Sequence, residues 1–402
     1  MKFFDELKWR GVIKDISSEE LEDKLNNDSL TFYLGTDPTA DSLHIGHYAS
    51  FVTAKRLMLH GHKPIILVGG ATGLIGDPRP TMERKTITKE FVDENVKALK
   101  IQVDRLLDGK AMLVNNYDWT KDVTVLDFLR DIGTYINVNY MLNKDIIARR
   151  LESGISYKEF SYTLLQGYDF LHLYKEMGCT LQAAGSDQWG NITTGIELIR
   201  KILGKEAYGF TMPLILDSNG NKFGKSEGNA LWLDKNKTSP YKIYQYLINT
   251  ADSKVVEYLK VFTFLSKEEI EALEESVKKE PEKRLAQMAL AYEVVKDIHG
   301  KEEADLAKKT SEEVFSKGYS EDGMEEVSVN LSENDNIMDV MVKASLVSSK
   351  SEARRLIEGN AISINSEKVN DPNKAIKYDD FENKSFVISK GKKTHIKINL
   401  VK

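Results

Sequence analysis

The chain has 402 residues, 41% hydrophobic and 29% charged, enough for two or three domains with a sizeable core. No apolar run approaches the roughly 20 residues of a membrane helix, and the polar amino terminus has no signal-peptide apolar region, so neither spanning a membrane nor secretion is expected. The single cysteine, Cys179, cannot form an internal disulfide and points to a reducing cytoplasm. A net charge of −6 argues against nucleic acid for the chain as a whole. Residues 337–402, however, hold 13 basic and 8 acidic residues, a basic tail of net +5 on an acidic body.

In chain order, residues 30–34 (LTFYL), 64–68, 111–115 and 180–184 read as strands, and 213–216 as another. Helical periodicity fills 44–59, 89–107 and 158–177 between them. Such alternation predicts an α/β fold with a mostly parallel sheet, whose ligands bind at the carboxyl ends of the strands. After Pro240 the pattern turns helical through 241–249, 267–277 and 282–299. Residues 319–336 contain six acidic and no basic residues and read as a flexible linker. Two short helices, 337–343 and 350–358, and short strands at 361–364, 386–388 and 395–399 complete the chain.

The first strand runs into a turn and then His44-Ile45-Gly46-His47. Asp41 or Ser42 can cap the helix that follows. The two histidines, three apart, share a helical face near its amino terminus, where free N–H groups and the dipole favour phosphate. Gly46 leaves backbone open to a ligand. A metal site or a simple surface cap remains open for the tetrapeptide alone. The whole string YLGTDPTADSLHIGH (33–47) resembles the signature of class I aminoacyl-tRNA synthetases, in the form of the tyrosine branch.

Far downstream lies Lys222-Phe223-Gly224-Lys225-Ser226. It is not a phosphate-binding P-loop, whose first glycine would fall at Asn219; by itself it could be an exposed basic turn. Beside the histidine string it is similar to the second class I signature, Lys-Met-Ser-Lys-Ser, with Phe223 and Gly224 in place of Met and Ser. The resemblance implies a mobile loop over ATP, with Lys222, Lys225 and Ser226 on the leaving pyrophosphate.

A third pattern lies on 158–177, where Tyr162, Gln166 and Asp169 form a polar stripe at i, i+4 and i+7 on a mostly apolar helix. It could be an ordinary wet face. The resemblance instead makes it the amino-acid site: Asp169 and Tyr33 on a phenolic hydroxyl, and Tyr162, Gln166 and Asp77 on the ammonium. Gln188 would lie at the carboxyl end of tyrosine. Asp187 would bind the ribose of ATP, Asp37, Gly35, Gly46 and Gly185 would line the nucleotide, and Thr39, His44 and His47 would join the lysines in catalysis. A site built to bind a phenol leaves groups unpaired when phenylalanine enters, the behaviour known for tyrosine enzymes themselves. Tryptophan is the nearest rival substrate, and Tyr33 would crowd its indole.

The stretch 68–78 is also family-like, although its glycines at 70, 73 and 76 lack the spacing of a dinucleotide fingerprint. The run after Asp77 lacks a lysine often found in relatives, leaving Arg79, Arg84 and Lys85 as candidate cations. The tail is similar to the S4 RNA-binding fold through 351–361 (SEARRLIEGNA) and Gly391-Lys392-Lys393. The resemblance therefore implies a Rossmann-like catalytic domain (1–220), a mobile loop and linker (221–240), a helical tRNA-recognition domain (241–318), an acidic linker (319–336) and a small α+β S4-like domain (337–402). Expected substrates are ATP carrying Mg2+ on its phosphates, L-tyrosine and tRNA(Tyr), with Lys350, Arg354, Arg355, Lys392 and Lys393 as tRNA contacts. No protein-bound metal is expected. A homodimer through 118–155 is implied by the resemblance alone. The competing reading is a catalytically idle relative acting as an RNA-binding factor.

Overall fold

A computed structural model of the chain describes every residue except 79–86, 152–153, 227–228, 318–323, 333, 382–383, 392–393 and 402; at 145–146, 225–226, 229 and 315–317 it describes the backbone alone. The chain forms two compact units, Met1–Asp234 with Ala251–Ala272, and Lys235–Thr250 with Leu273–Lys402.

The first unit is built on a parallel sheet of β1 (Thr31–Thr36), β2 (Lys63–Val68), β3 (Met112–Asn115), β4 (Cys179–Gly185) and β5 (Tyr208–Met212), in the order β3-β2-β1-β4-β5. Helices α1 (Ile45–Leu59), α2 (Lys89–Leu106), α3 (Tyr157–Met177) and α4 (Trp189–Leu203) lie between consecutive strands. Near-continuous burial along β2 and β5 fits strands covered on both faces. The strand order reverses between β1 and β4, the switch point where such sheets hold ligands. There the sheet forks: β1 pairs with β4 only as far as Tyr33↔Gln182, while β1 follows β2 to Thr36↔Val68.

Two expectations are corrected here. The fifth strand is β5, not 213–216. Residues 208–212 (YGFTM) are all buried, and Thr211 exchanges bonds with the amino-terminal segment (Lys14 N to Thr211 O, 2.8 Å; Thr211 N to Asp15 O, 2.8 Å). Pro213 has no N–H for a ladder, whereas Gly209 hides the strand from a propensity reading. Second, the helical stretch after Pro240 is not one body. A helix that periodicity had not marked, Asp252–Phe262, belongs to the first unit, with Val255, Tyr258, Leu259 and Phe262 buried. Its carboxyl end is capped by two buried arginines: Arg10 Nη1 and Arg56 Nη2 reach Thr263 O at 3.2 and 2.5 Å.

In the second unit, helices Pro240–Ile248, Leu285–His299 and Lys301–Lys317 pack on one another. It also carries a five-stranded sheet over two short helices, Ile337–Lys343 and Lys350–Glu358, around a core that includes Ile337, Met341, Ile357, Ile388 and Ile398. The stretch read as a flexible linker contributes a strand to this sheet. Glu325–Asn330 pairs in parallel with Thr394–Val401, from Ile396↔Glu325 to Val401↔Asn330. Its acidic side chains mask a β pattern, because an edge strand can hold charges on its solvent side.

Candidate active site

At the fork, Tyr33 is 1% exposed, and its hydroxyl makes no hydrogen bond of standard geometry among the described residues, although Gln166 lies close enough to influence it. Burial, then the neighbouring Asp169, hold its phenol well above the usual range. Asp169 is buried on α3. Its Oδ2 accepts from Asn116 Nδ2 and its Oδ1 from Trp119 Nε1, both at 2.9 Å. Desolvation pushes its carboxyl up to about 7 against those two donors, and Asp37 adds repulsion. A buried acid with oriented oxygens beside a buried phenol is built to exchange hydrogen bonds with a further polar group.

The rest of the stripe faces a second polar cluster. Tyr162 Oη donates to Asp37 Oδ2 at 3.0 Å, and Thr72 Oγ1 donates to Asp37 Oδ1 at 2.9 Å. Asp37, expected on the nucleotide side, thus stands with the α3 stripe. Gln188 Nε2 donates to Asp77 Oδ2 at 2.9 Å, and Asn191 Nδ2 bridges Gln166 Oε1 (3.0 Å) and Gln188 Oε1 (2.8 Å). The combined field of Asp37 and Asp77 raises the Tyr162 phenol, after burial. Three carboxylates, Asp37, Asp77 and Asp169, therefore converge on one space, an environment that favours a cation. Gly35 and Gly185 lie at the ends of β1 and β4; beyond them Thr39 is exposed in a loop and Asp187 on a short 3-10 turn, Ser186–Gln188.

Neither Asp41 nor Ser42 caps α1. His44 does, and the two histidines form the cap between them. His44 Nδ1 accepts from Gly46 N at 3.1 Å, His47 Nδ1 accepts from His44 N at 3.3 Å, and the rings stack at 3.8 Å. An imidazole whose Nδ1 accepts carries its proton on Nε2 and is neutral. Burial pushes His47 down to about 3, with His44 adding to the effect. His47 is therefore a hydrogen-bond donor rather than a charge at neutral pH, and His44, accepting at Nδ1, offers its Nε2–H as a donor.

The second signature comes to this same place. Ile45 N donates to Leu231 O and Leu231 N to Gly224 O, at 2.8 and 3.1 Å. Phe223 is buried, stacked on Phe262 at 4.6 Å and edge-on to Tyr258 at 4.8 Å, so the position of the family methionine is an aromatic anchor. Gly224 has φ +89°, and a Cβ there would stand 2.5 Å from Ile45 Cγ2 and 3.1 Å from Gly46 N. Lys222 is exposed; Lys225 and Ser226 pair with Ala230 and Asn229 in a two-stranded ladder. Replacing Gly224 with Ala combines a left-handed backbone costing about 1–2 kcal/mol with that clash. The candidates Arg79, Arg84 and Lys85 lie outside the described residues.

In the tail, Lys350 pairs with Asp339 at 2.5 Å and Arg354 with Glu358 at 3.9 Å, and Arg355 is exposed. Lys392 and Lys393 lie outside the described residues.

Residues 25–316 match the family model described as tRNA synthetases class I (W and Y), and 317–398 match the model for the tyrosine–tRNA ligase SYY-like C-terminal domain. The first model leaves tryptophan and tyrosine open. The tyrosine–tRNA ligase of Staphylococcus haemolyticus is 47% identical over 412 residues, covering 98% of each chain. The chain belongs to the tyrosyl-tRNA synthetase family. Two solved structures of C-terminally truncated mitochondrial tyrosyl-tRNA synthetases agree. That from Aspergillus nidulans is 33% identical with a TM-score of 0.70, covering 78% of this chain and 94% of its own; that from Coccidioides posadasii is 32% identical with a TM-score of 0.68, covering 77% and 91%. Against this tyrosyl-tRNA synthetase fold, the residues that sequence reasoning missed are Asn116, Trp119, Thr72 and Asn191. The signal for Asn116 and Trp119 was positional: they follow β3 at its carboxyl end, where parallel sheets place ligand groups.

Proposed function

We propose that this geometry carries out tyrosine–tRNA ligation by positioning and charge stabilisation, with no general base in the first step. The chain is an aminoacyl-tRNA ligase that converts tyrosine and ATP to tyrosyl-AMP and pyrophosphate, then transfers the tyrosyl group to the terminal ribose of its tRNA. In the first step the tyrosine carboxylate, already a nucleophile, attacks the α-phosphate. Asp169 and Tyr33 take the phenolic hydroxyl; Tyr162, Gln166, Asp77 and Asp37 take the ammonium; Gln188 sits by the carboxylate. ATP enters as its magnesium complex. Thr39, His44, His47 and Ser226 donate hydrogen bonds, and Lys222 and Lys225 supply positive charge to the departing pyrophosphate. Gly35, Gly46, Gly185 and Asp187 line the nucleotide.

The observation that carries this reading is the buried Asp169, its two oxygens aligned by Asn116 and Trp119, within electrostatic reach of a Tyr33 hydroxyl that makes no hydrogen bond of standard geometry among the described residues. Tyrosine-dependent pyrophosphate exchange by the purified chain tests it; an inert chain would leave only the RNA-binding reading. The exchange also has a predicted pH dependence. The phenol donates to ionised Asp169, whose carboxyl is raised to about 7, so the charged acceptor is replaced by a weaker neutral one as pH falls through 7. KM for tyrosine should rise about tenfold from pH 8 to pH 6, with little change in KM for ATP. A flat profile would contradict the assignment of the acceptor.

For the second step we propose that the second unit holds tRNA(Tyr) through phosphate contacts from the basic tail, including Lys350, Arg354, Arg355, Lys392 and Lys393, weakening with salt. We also propose a homodimer through 118–155. Val125, Leu126 and Val138 in this stretch are 74, 78 and 62% exposed, apolar surface that a second copy would cover. No described helix is long and apolar enough to cross a membrane, and with Cys179 as the one cysteine we place the enzyme in the cytoplasm.

A further inference from the structure

We infer that His172 is a positioning residue for tyrosine selection, acting through Trp119. The inference rests on the reading of Asp169 as acceptor of the substrate phenol. Trp119 donates its indole N–H to Asp169 Oδ1 at 2.9 Å, so the direction of that carboxylate depends on the tilt of the indole. Yet Trp119 stands on a single helical turn, Tyr117–Thr120, and is only half-buried. One turn of helix gives a side chain little backbone support of its own.

The support comes from α3. The His172 ring lies flat against the indole, with centroids 4.4 Å apart and planes 14° apart. His172 follows Asp169 by three residues, so the carboxylate and the aromatic plate stand as neighbours on one helix. The indole N–H is thereby aimed by the same rigid element that carries its acceptor. Tyr168 flanks His172 at 6.4 Å and itself meets Phe128 edge-on at 6.0 Å. His172 also lines an open depression with Tyr168, Leu171 and Phe128, which leaves room for other side chains at this position.

A stacked aromatic pair contributes enough that its loss shifts an equilibrium about three- to tenfold. His172→Ala should therefore raise KM for tyrosine by about three- to tenfold and lower the preference for tyrosine over phenylalanine by a similar factor. KM for ATP and kcat should stay within twofold. His172→Phe, which restores a flat ring, should recover both tyrosine readouts. Should the alanine variant fail to fold, His172→Gln removes the ring while keeping most of the volume and carries the same expectation. Asp169→Asn is measured alongside. If Asp169→Asn impairs tyrosine selection and His172→Ala or His172→Gln does not, the inference is overturned while the reading of Asp169 stands. If Asp169→Asn leaves selection intact, that reading falls and takes the inference with it. Equal losses toward tyrosine and ATP, unrecovered by His172→Phe, would mark a merely structural contact and overturn the inference too.

Discussion

A chain ending at Lys317 is expected to lose tRNA charging almost completely while keeping tyrosine-dependent pyrophosphate exchange within about twofold. The cut belongs there and not at residue 337, because Glu325–Asn330 is a strand of the small sheet and would be stranded without Thr394–Val401. The residues proposed for the adenylate site all lie within Met1–Asp234, in the first unit, so exchange should not need the small sheet. The truncated Aspergillus relative, still folded like this chain, supports the design. Among the proposed tRNA contacts, Arg354 is held by a weak exposed pair with Glu358 at 3.9 Å, which contributes little to stability and would yield to a phosphate. Filter-binding charging assays and exchange assays on the same preparation separate the two steps. Normal charging by the shortened chain would contradict this division of labour.

Lys225→Ala should slow adenylate formation about 10²- to 10³-fold in single-turnover measurements, the range for removing one preorganised group that stabilises transition-state charge. The histidines cannot take over the role. Their Nδ1 atoms accept backbone N–H groups, which leaves Nε2–H as a donor, and burial holds His47 near 3, so that ring brings no charge. On the proposed assignment positive charge comes from the lysine loop, whose backbone is seated against Gly46 and anchored by Phe223, with Arg79, Arg84 and Lys85 as further candidate cations. Tyrosine binding, assigned to side chains outside that loop, should change less than twofold by equilibrium titration. Parallel losses in binding and chemistry would refute the assignment.

The parts of this enzyme that could be read from the chain are those where local chemistry and global role agree. The turn after β1 is punctuated by Gly, Asp and Pro, and the apolar run of β2 leaves little choice but a buried strand. Tyr162, Gln166 and Asp169 were visible because helical spacing alone puts them on one face. What stayed hidden depends on tertiary partners. Nothing local shows that Asp252–Phe262 packs with residues of the first unit, since its apolar stripe would suit any neighbour. The strand Glu325–Asn330 is acidic and finds its pairing partner near the far end of the chain. Histidine is an uncommon helix cap, so local preference points to Asp41 or Ser42 for the cap of α1 that His44 in fact provides. Asn116 and Trp119 sit in no periodic segment; only the meeting of β3 with α3 gives them Asp169.

The claim on which everything else depends is that amino-acid choice resides in one desolvated carboxylate at the fork of the sheet. Pyrophosphate exchange driven by tyrosine and by phenylalanine, compared between the native enzyme and Asp169→Asn, addresses it directly. A hydrogen bond to a charged group contributes about 1.5–3 kcal/mol, so the tyrosine-to-phenylalanine ratio of kcat/KM should fall about 10- to 100-fold in the variant, through tyrosine. An unchanged ratio would contradict the account.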